Sequence, residues 1–124
     1  MQKYYQKDGA SSQWYTIHLD TLGRAILELN NGVGANSLVN LRDNMWHNVV
    51  GVIDRSDSTA SIYIDGIYKN KITFSASVYN TDNLAIGGWL GPENFNGDID
   101  DVRIYNRALS ANDVKALYDV YWGE

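Results

Sequence analysis

The chain has 124 residues, 44% hydrophobic and 20% charged, with no cysteine and a formal net charge of −5. That composition fits one globular domain and excludes a disulfide or thiolate metal site; the acidic balance, with its Lys and Arg scattered, argues against nucleic acid as a partner. No apolar run approaches the ~20 residues of a membrane span, and the opening MQKYYQKDGA lacks the apolar core of a signal peptide.

Short alternating runs separated by Gly, Asn and Asp turns predict an antiparallel β-sandwich. The strands fall near residues 3–6, 13–20, 24–30, 37–41, 46–54, 59–65, 68–74, 83–89 and 99–106. Thr21-Leu22-Gly23, Asn30-Asn31-Gly32 and Asp65-Gly66 suit tight hairpins, because Asn, Asp and Gly accept positive φ cheaply. The sole proline, Pro92, sits in a loop where it disturbs no ladder. One short helix closes the chain. Ser110 can cap it and Asp113 can reach back, while Val114, Leu117, Tyr118 and Tyr121 form an apolar stripe.

Strand phase separates two faces. Tyr15, Ile17 and Leu19, then Ala25, Leu27 and Leu29, then Ala60, Ile62 and Ile64, then Leu84 and Ile86 are assigned to the core. Trp14, Thr16, His18, Glu28, Tyr63 and Trp89 fall on the opposite faces. Residues 46–53 are apolar in nearly both phases, as in a central strand covered on both sides. At Ile99-Asp100-Asp101-Val102 the phase slips by one, which predicts a β-bulge turning one carboxylate inward.

FNGDIDDVRIYNRALSANDVKAL, residues 95–117, resembles the C-terminal signature of laminin-G-like jelly-roll domains of the concanavalin A-like superfamily. Met45-Trp46-His47-Asn48-Val49-Val50-Gly51-Val52 looks like that family's Trp-x-His-Val-Ala-x-Val strand, with Asn48 where His is usual. Ala60-Ser61-Ile62-Tyr63-Ile64-Asp65-Gly66 is similar to its Leu-Tyr-Val-Asp-Gly hairpin, and Asn83-Leu84-Ala85-Ile86-Gly87 to its Leu-x-Ile-Gly strand. Order and spacing agree from about residue 13 to 118. The resemblance implies an all-β concanavalin A-like jelly roll spanning residues 1–124 as a single domain. It also implies that the domain is N-terminally short, because residues 1–12 do not supply the family's Tyr-x-Phe-Asp-Gly segment or the strand after it. A homo-oligomer replacing those strands with another subunit's, or the remainder of a longer protein, is the expected partner. An uncovered apolar sheet edge would otherwise be an aggregation template.

The resemblance further implies a non-catalytic binding module for carbohydrate or a surface glycoconjugate, placed outside the cell or on its surface. The alternative is a structural or protein-interaction domain, adhesin-like or an assembly subunit. Trp89, Tyr63, Trp14, His18 and Asn94 are the candidate ligand residues. Flat aromatic faces stack on sugar rings and polar groups bind hydroxyls, although such rings also pack under loops, a helix or a partner. The loop Trp89-Leu90-Gly91-Pro92-Glu93-Asn94-Phe95 is the candidate rim. Asp98, Asp100 and Asp101 are candidate ligands for Ca²⁺, a hard cation that takes oxygen donors; the competing reading has them bonding loop amides around the bulge. The superfamily's glucanases resemble Glu-x-Asp-x-x-Glu or Glu-x-Asp-x-Glu on one strand. Here no glutamate stands beside Asp98 or Asp100, since Glu28, Glu93 and Glu124 are the only ones. The chain therefore reads as no enzyme.

Overall fold

The computed structural model describes residues 15–29, 32–75, 84–88 and 94–122. Strands β1 (Tyr15–Leu19), β2 (Arg24–Leu29) and β3 (Val33–Asn40) form one antiparallel sheet in the order β1-β2-β3. Strands β4 (Val49–Asp54), β5 (Thr59–Ile64) and β6 (Ile67–Thr73) form a second, ordered β4-β5-β6. Helix α1 (Ala111–Trp122) follows.

The hairpins form because polar side chains satisfy the turn amides that no ladder reaches. Asp20 accepts from the Leu22 and Arg24 amides, both at 2.9 Å, and holds the Arg24 guanidinium at 2.6 Å. Gly23 follows at a φ of 76°, a left-handed conformation that glycine adopts without strain. In the second sheet Asp65 and Gly66 have φ of 53° and 76°, the geometry of a two-residue hairpin turn. Between Arg24 and Ile26 the β2–β3 register slips. The Ala25 amide is satisfied there by the buried hydroxyl of Ser37 at 3.0 Å.

The two sheets stack with β2 over β5, and β3 over β5 and β6. Ala25, Leu27, Leu29, Ala35, Ala60, Ile62 and Ile64 make the buried core between them. Leu19, Val49 and Ile53 pack against it. Gly51 shares the inward phase of β4, and a Cβ there would lie 3.0 Å from both Ile17 and Leu27. Only a missing side chain lets the first sheet come that close.

The outer face of the second sheet is covered by α1. Val52 and Tyr63 point outward and are buried with Leu109 and Val114 of the helical segment. The helix starts as its residues dictate: Ser110 Oγ accepts from the Asp113 amide at 3.1 Å, and Asp113 accepts from the Ser110 amide at 2.9 Å. Its next turns rest on the β5–β6 hairpin, where a Cβ on Gly66 would meet Tyr118 Cβ at 2.9 Å.

Several expectations are corrected. β4 is covered on both faces as expected, with Val49 and Ile53 against the core and Val50 and Val52 under the helical segment, but among the described residues it lies at the edge of its sheet, so the central strand is β5. Tyr15 and Ile17, placed in the core by phase, are half exposed on edge strand β1. Leu84 and Ile86 are exposed too, because residues 84–88 contribute only a single bridge between Gly88 and Asn94. Residues 99–106 form no strand. The bulge with an inward carboxylate is therefore absent, and Asp101 instead adopts a φ of 53° with its side chain exposed. The predicted strand at residues 3–6 lies outside the described residues.

Candidate functional site

Three segments distant in sequence meet at the C-terminal end of α1: the stretch before β4, the β5–β6 turn and residues 101–105. Their anchor is His47. Its Nδ1 lies 2.9 Å from Asp65 Oδ2 and its Nε2 lies 3.0 Å from Asp43 Oδ1. The other oxygen of Asp65 accepts from the Asn48 amide at 2.9 Å. Burial disfavours charge on the imidazole, but the hydrogen bonds to Asp65 and Asp43 and their attraction outweigh it, so its pKa is raised. When protonated, His47 donates from both nitrogens and clamps residues 43–48 to the Asp65-Gly66 turn. The hydrogen bond from His47 in turn lowers the pKa of Asp43.

The clamp presents its neighbours to solvent. Trp46 is 54% exposed and its ring centroid lies 6.4 Å from that of Trp122, which is 40% exposed, at a tilt of 38°. Trp122 is the last residue of α1, and the residue before it carries the second half of the patch. The Arg103 guanidinium sits 4.1 Å from the centroid of the Tyr121 ring, a cation–π geometry. The same guanidinium bonds the Asp101 carboxylate at 3.0 Å. Its pKa is raised by hydrogen bonds to Tyr121 and Tyr105 and then by Asp101, so it stays charged. Exposed rings thus lie beside an exposed cation and carboxylates. Such a surface can stack on flat apolar faces and bond hydroxyls.

The residues singled out by phase fare differently. Trp14 and Trp89 lie outside the described residues. Tyr63 is corrected from an outward, open position to a buried one, 7% exposed beneath α1 and edge-on to Tyr68 at 5.7 Å. Burial raises the pKa of its phenol, with Tyr68 adding to it. His18 is corrected likewise: it is 7% exposed, with Nε2 3.5 Å from the buried carboxylate of Glu28. In the β1–β2 register His18 faces Ile26 and Glu28 faces Thr16, so the two are diagonal neighbours on one face. Asn94 is exposed and pairs by its backbone with Gly88.

Asp98, Asp100 and Asp101 are all exposed and do not fit a calcium site. Asp100 accepts from the Asp101 amide at 2.7 Å, and Asp101 is held by Arg103. Among the described residues no three carboxylates or histidines come together as a metal cage. A hard dication needs ~6–8 converging oxygens, and the segment supplies no such set among the described residues. The alternative reading, carboxylates bonding nearby amides, describes what Asp100 does.

Sequence reasoning missed Trp46, Trp122 and the Arg103–Tyr121 pair. Trp46 reads as part of an apolar strand, and its exposure follows from β4 starting only at Val49. Trp122 follows the predicted helical stripe by one position. An aromatic just past such a stripe, on a helix of known end, is the signal that could have marked it.

Two stacked antiparallel sheets with a helix on one outer face, and an exposed aromatic surface at their margin, define a concanavalin A-like β-sandwich. The chain belongs to the laminin-G-like family of the concanavalin A-like lectin/glucanases superfamily, whose model matches residues 2–115. That match begins earlier than the motifs, which start near residue 13. Among solved structures the chain is similar to an S-layer domain-containing protein from Clostridium thermocellum. The identity is 19%, the TM-score is 0.57, and the match covers 94% of this chain and 68% of that one. At that identity the likeness speaks for the fold alone. No curated protein matches the chain. Among the described residues no helix is long and apolar enough to cross a membrane.

Proposed function

We propose that the protein is a non-catalytic binding module that recognises carbohydrate through the surface built by Trp46, Trp122, Tyr121 and Arg103. The observation that carries this is the exposure of both tryptophans in a patch beside the partly exposed His47–Asp65–Asp43 network. Rings held rigidly at a surface lose little entropy on stacking against a ligand. Membership of a lectin/glucanases superfamily supports a binding role. A catalytic one has less support, since Glu28 is buried against His18 and Asp101 is tied up by Arg103, whereas retaining hydrolysis needs two free carboxylates facing a cleft. An extracellular or cell-surface setting goes with the same reading.

A glycan array followed by tryptophan-fluorescence titration tests it. Binding should quench or shift emission, and Trp46→Ala should weaken the affinity at least about tenfold, the loss of a stacked ring. If no glycan changes the emission, the second reading takes its place. That reading is a structural or assembly domain, and the S-layer protein's shared fold and the apolar segment at residues 99–105 favour it.

A further inference from the structure

Residues 99–105, Ile-Asp-Asp-Val-Arg-Ile-Tyr, carry the composition of a strand and lie in no sheet. Ile99, Val102, Ile104 and Tyr105 are 46%, 52%, 66% and 42% exposed. Apolar side chains thus face water in both strand phases. The backbone of the segment makes no hydrogen bond to another backbone group among the described residues. Such a segment is a template for pairing with another chain.

The order of its residues says which chain. When two copies run antiparallel about a two-fold axis at Val102, Ile99 faces Tyr105 of the second copy and Val102 faces itself. Asp101 then faces Arg103, and Arg103 faces Asp101, so each interface gains two opposite-charge pairs. No like charges are opposed, and directly opposite charges stabilise a strand pair whereas like charges destabilise it. The contact is isologous, the kind that closes as a dimer instead of growing into a fibre. In the single chain Asp101 already bonds Arg103, and Asp101 there holds a φ of 53°, a left-handed conformation that costs a non-glycine residue. Extension of the segment relieves that conformation in both chains and exchanges each chain's internal pair for one between copies, so the number of ion pairs is kept while two backbones gain a ladder.

We propose that residues 99–105 pair antiparallel, centred on Val102, with the same residues of a second copy of this chain. The proposal shares Arg103 with the proposed glycan surface but does not rest on glycan recognition, and its tests read association without a glycan present. Sedimentation equilibrium should show a dimer at micromolar concentration that weakens with salt, as exposed ion pairs do. Asp101→Arg and Arg103→Asp each oppose like charges twice and should each weaken the dimer about tenfold or more. Both side chains are exposed, so circular dichroism and melting should match the parent chain. The double variant Asp101→Arg/Arg103→Asp should recover the dimer. So should a mixture of the two single variants, in which 101 and 103 are complementary between unlike chains. A parent chain that is monomeric at about 100 μM would overturn the proposal, and so would a dimer indifferent to the charge reversals or one that neither the double variant nor the mixture restores.

Discussion

β5 and residues 99–105 both carry aliphatic residues and a tyrosine in a strand-like run, the later one with three charges among them, and their surroundings are opposite. β5 reads Thr-Ala-Ser-Ile-Tyr-Ile, and Ala60, Ile62, Tyr63 and Ile64 are all buried, with the first sheet on one side and α1 on the other. The later segment reads Ile-Asp-Asp-Val-Arg-Ile-Tyr, and every residue of it is exposed. Both have aliphatic residues in strand-like runs with an aromatic beside them. What separates them is neighbours: β5 has a hydrogen-bonded strand on each flank, and the later segment has none among the described residues. Strand propensity measures fit to a half-buried pleated surface, so without the surface it directs nothing.

The sharpest way to break that contrast is truncation of one aliphatic side chain in each region. Ile62→Ala should cost about 2–5 kcal/mol, the loss of buried methyl groups plus the cavity left between the sheets. Ile104→Ala, in protein diluted below any association, should change stability by no more than about 0.5 kcal/mol. Urea unfolding of both variants checks this, and similar losses would show that residues 99–105 are packed in the single chain.

A smaller effect should come from the clamp that joins β4 to the β5–β6 turn. The folded pKa of His47 is raised, so its contribution to stability is complete below the unfolded pKa and is lost as pH rises through the folded one. The pKa of Asp43 is lowered, so its share is present above its unfolded value and is lost as pH falls through the folded value. The clamp is therefore strongest between those two limits. The side chains are partly exposed, so solvent screening keeps the contribution small. Melting curves across pH should show the gap between the parent and His47→Gln narrowing on the alkaline side. A gap that widened there would contradict the imidazolium. The smallest effect is expected from calcium: melting temperatures in EDTA and in millimolar Ca²⁺ should agree, since a bound ion would raise the folded state's stability by mass action.

Much of the fold was legible because its signals are local. Ala25, Leu27 and Leu29 alternate into the core as their period requires, as do Ala60, Ile62 and Ile64. Asp65-Gly66 makes its hairpin, and Ser110 and Asp113 cap the helix reciprocally, because those interactions span only two to four residues. The candidate site was less legible. Phase alone sets Tyr63 on the face opposite Ile62, and that is where it lies. Yet opposite the core is not the same as open to water once α1 covers that face. His18 was misjudged in the same way, since its diagonal partner Glu28 is set by the β1–β2 register and lies ten positions along the chain.

By itself, then, the sequence determined the alternating strands, their tight turns, the capped helix and the family, all of which rest on contacts between near neighbours or on motifs in a fixed order. The tertiary structure alone decided which faces see water. It brought His47 between Asp43 and Asp65, set Trp46 beside Trp122, and left residues 99–105 without a paired strand among the described residues. Burial belongs to the pair of surfaces that meet, and one strand's residues specify only their own half of it.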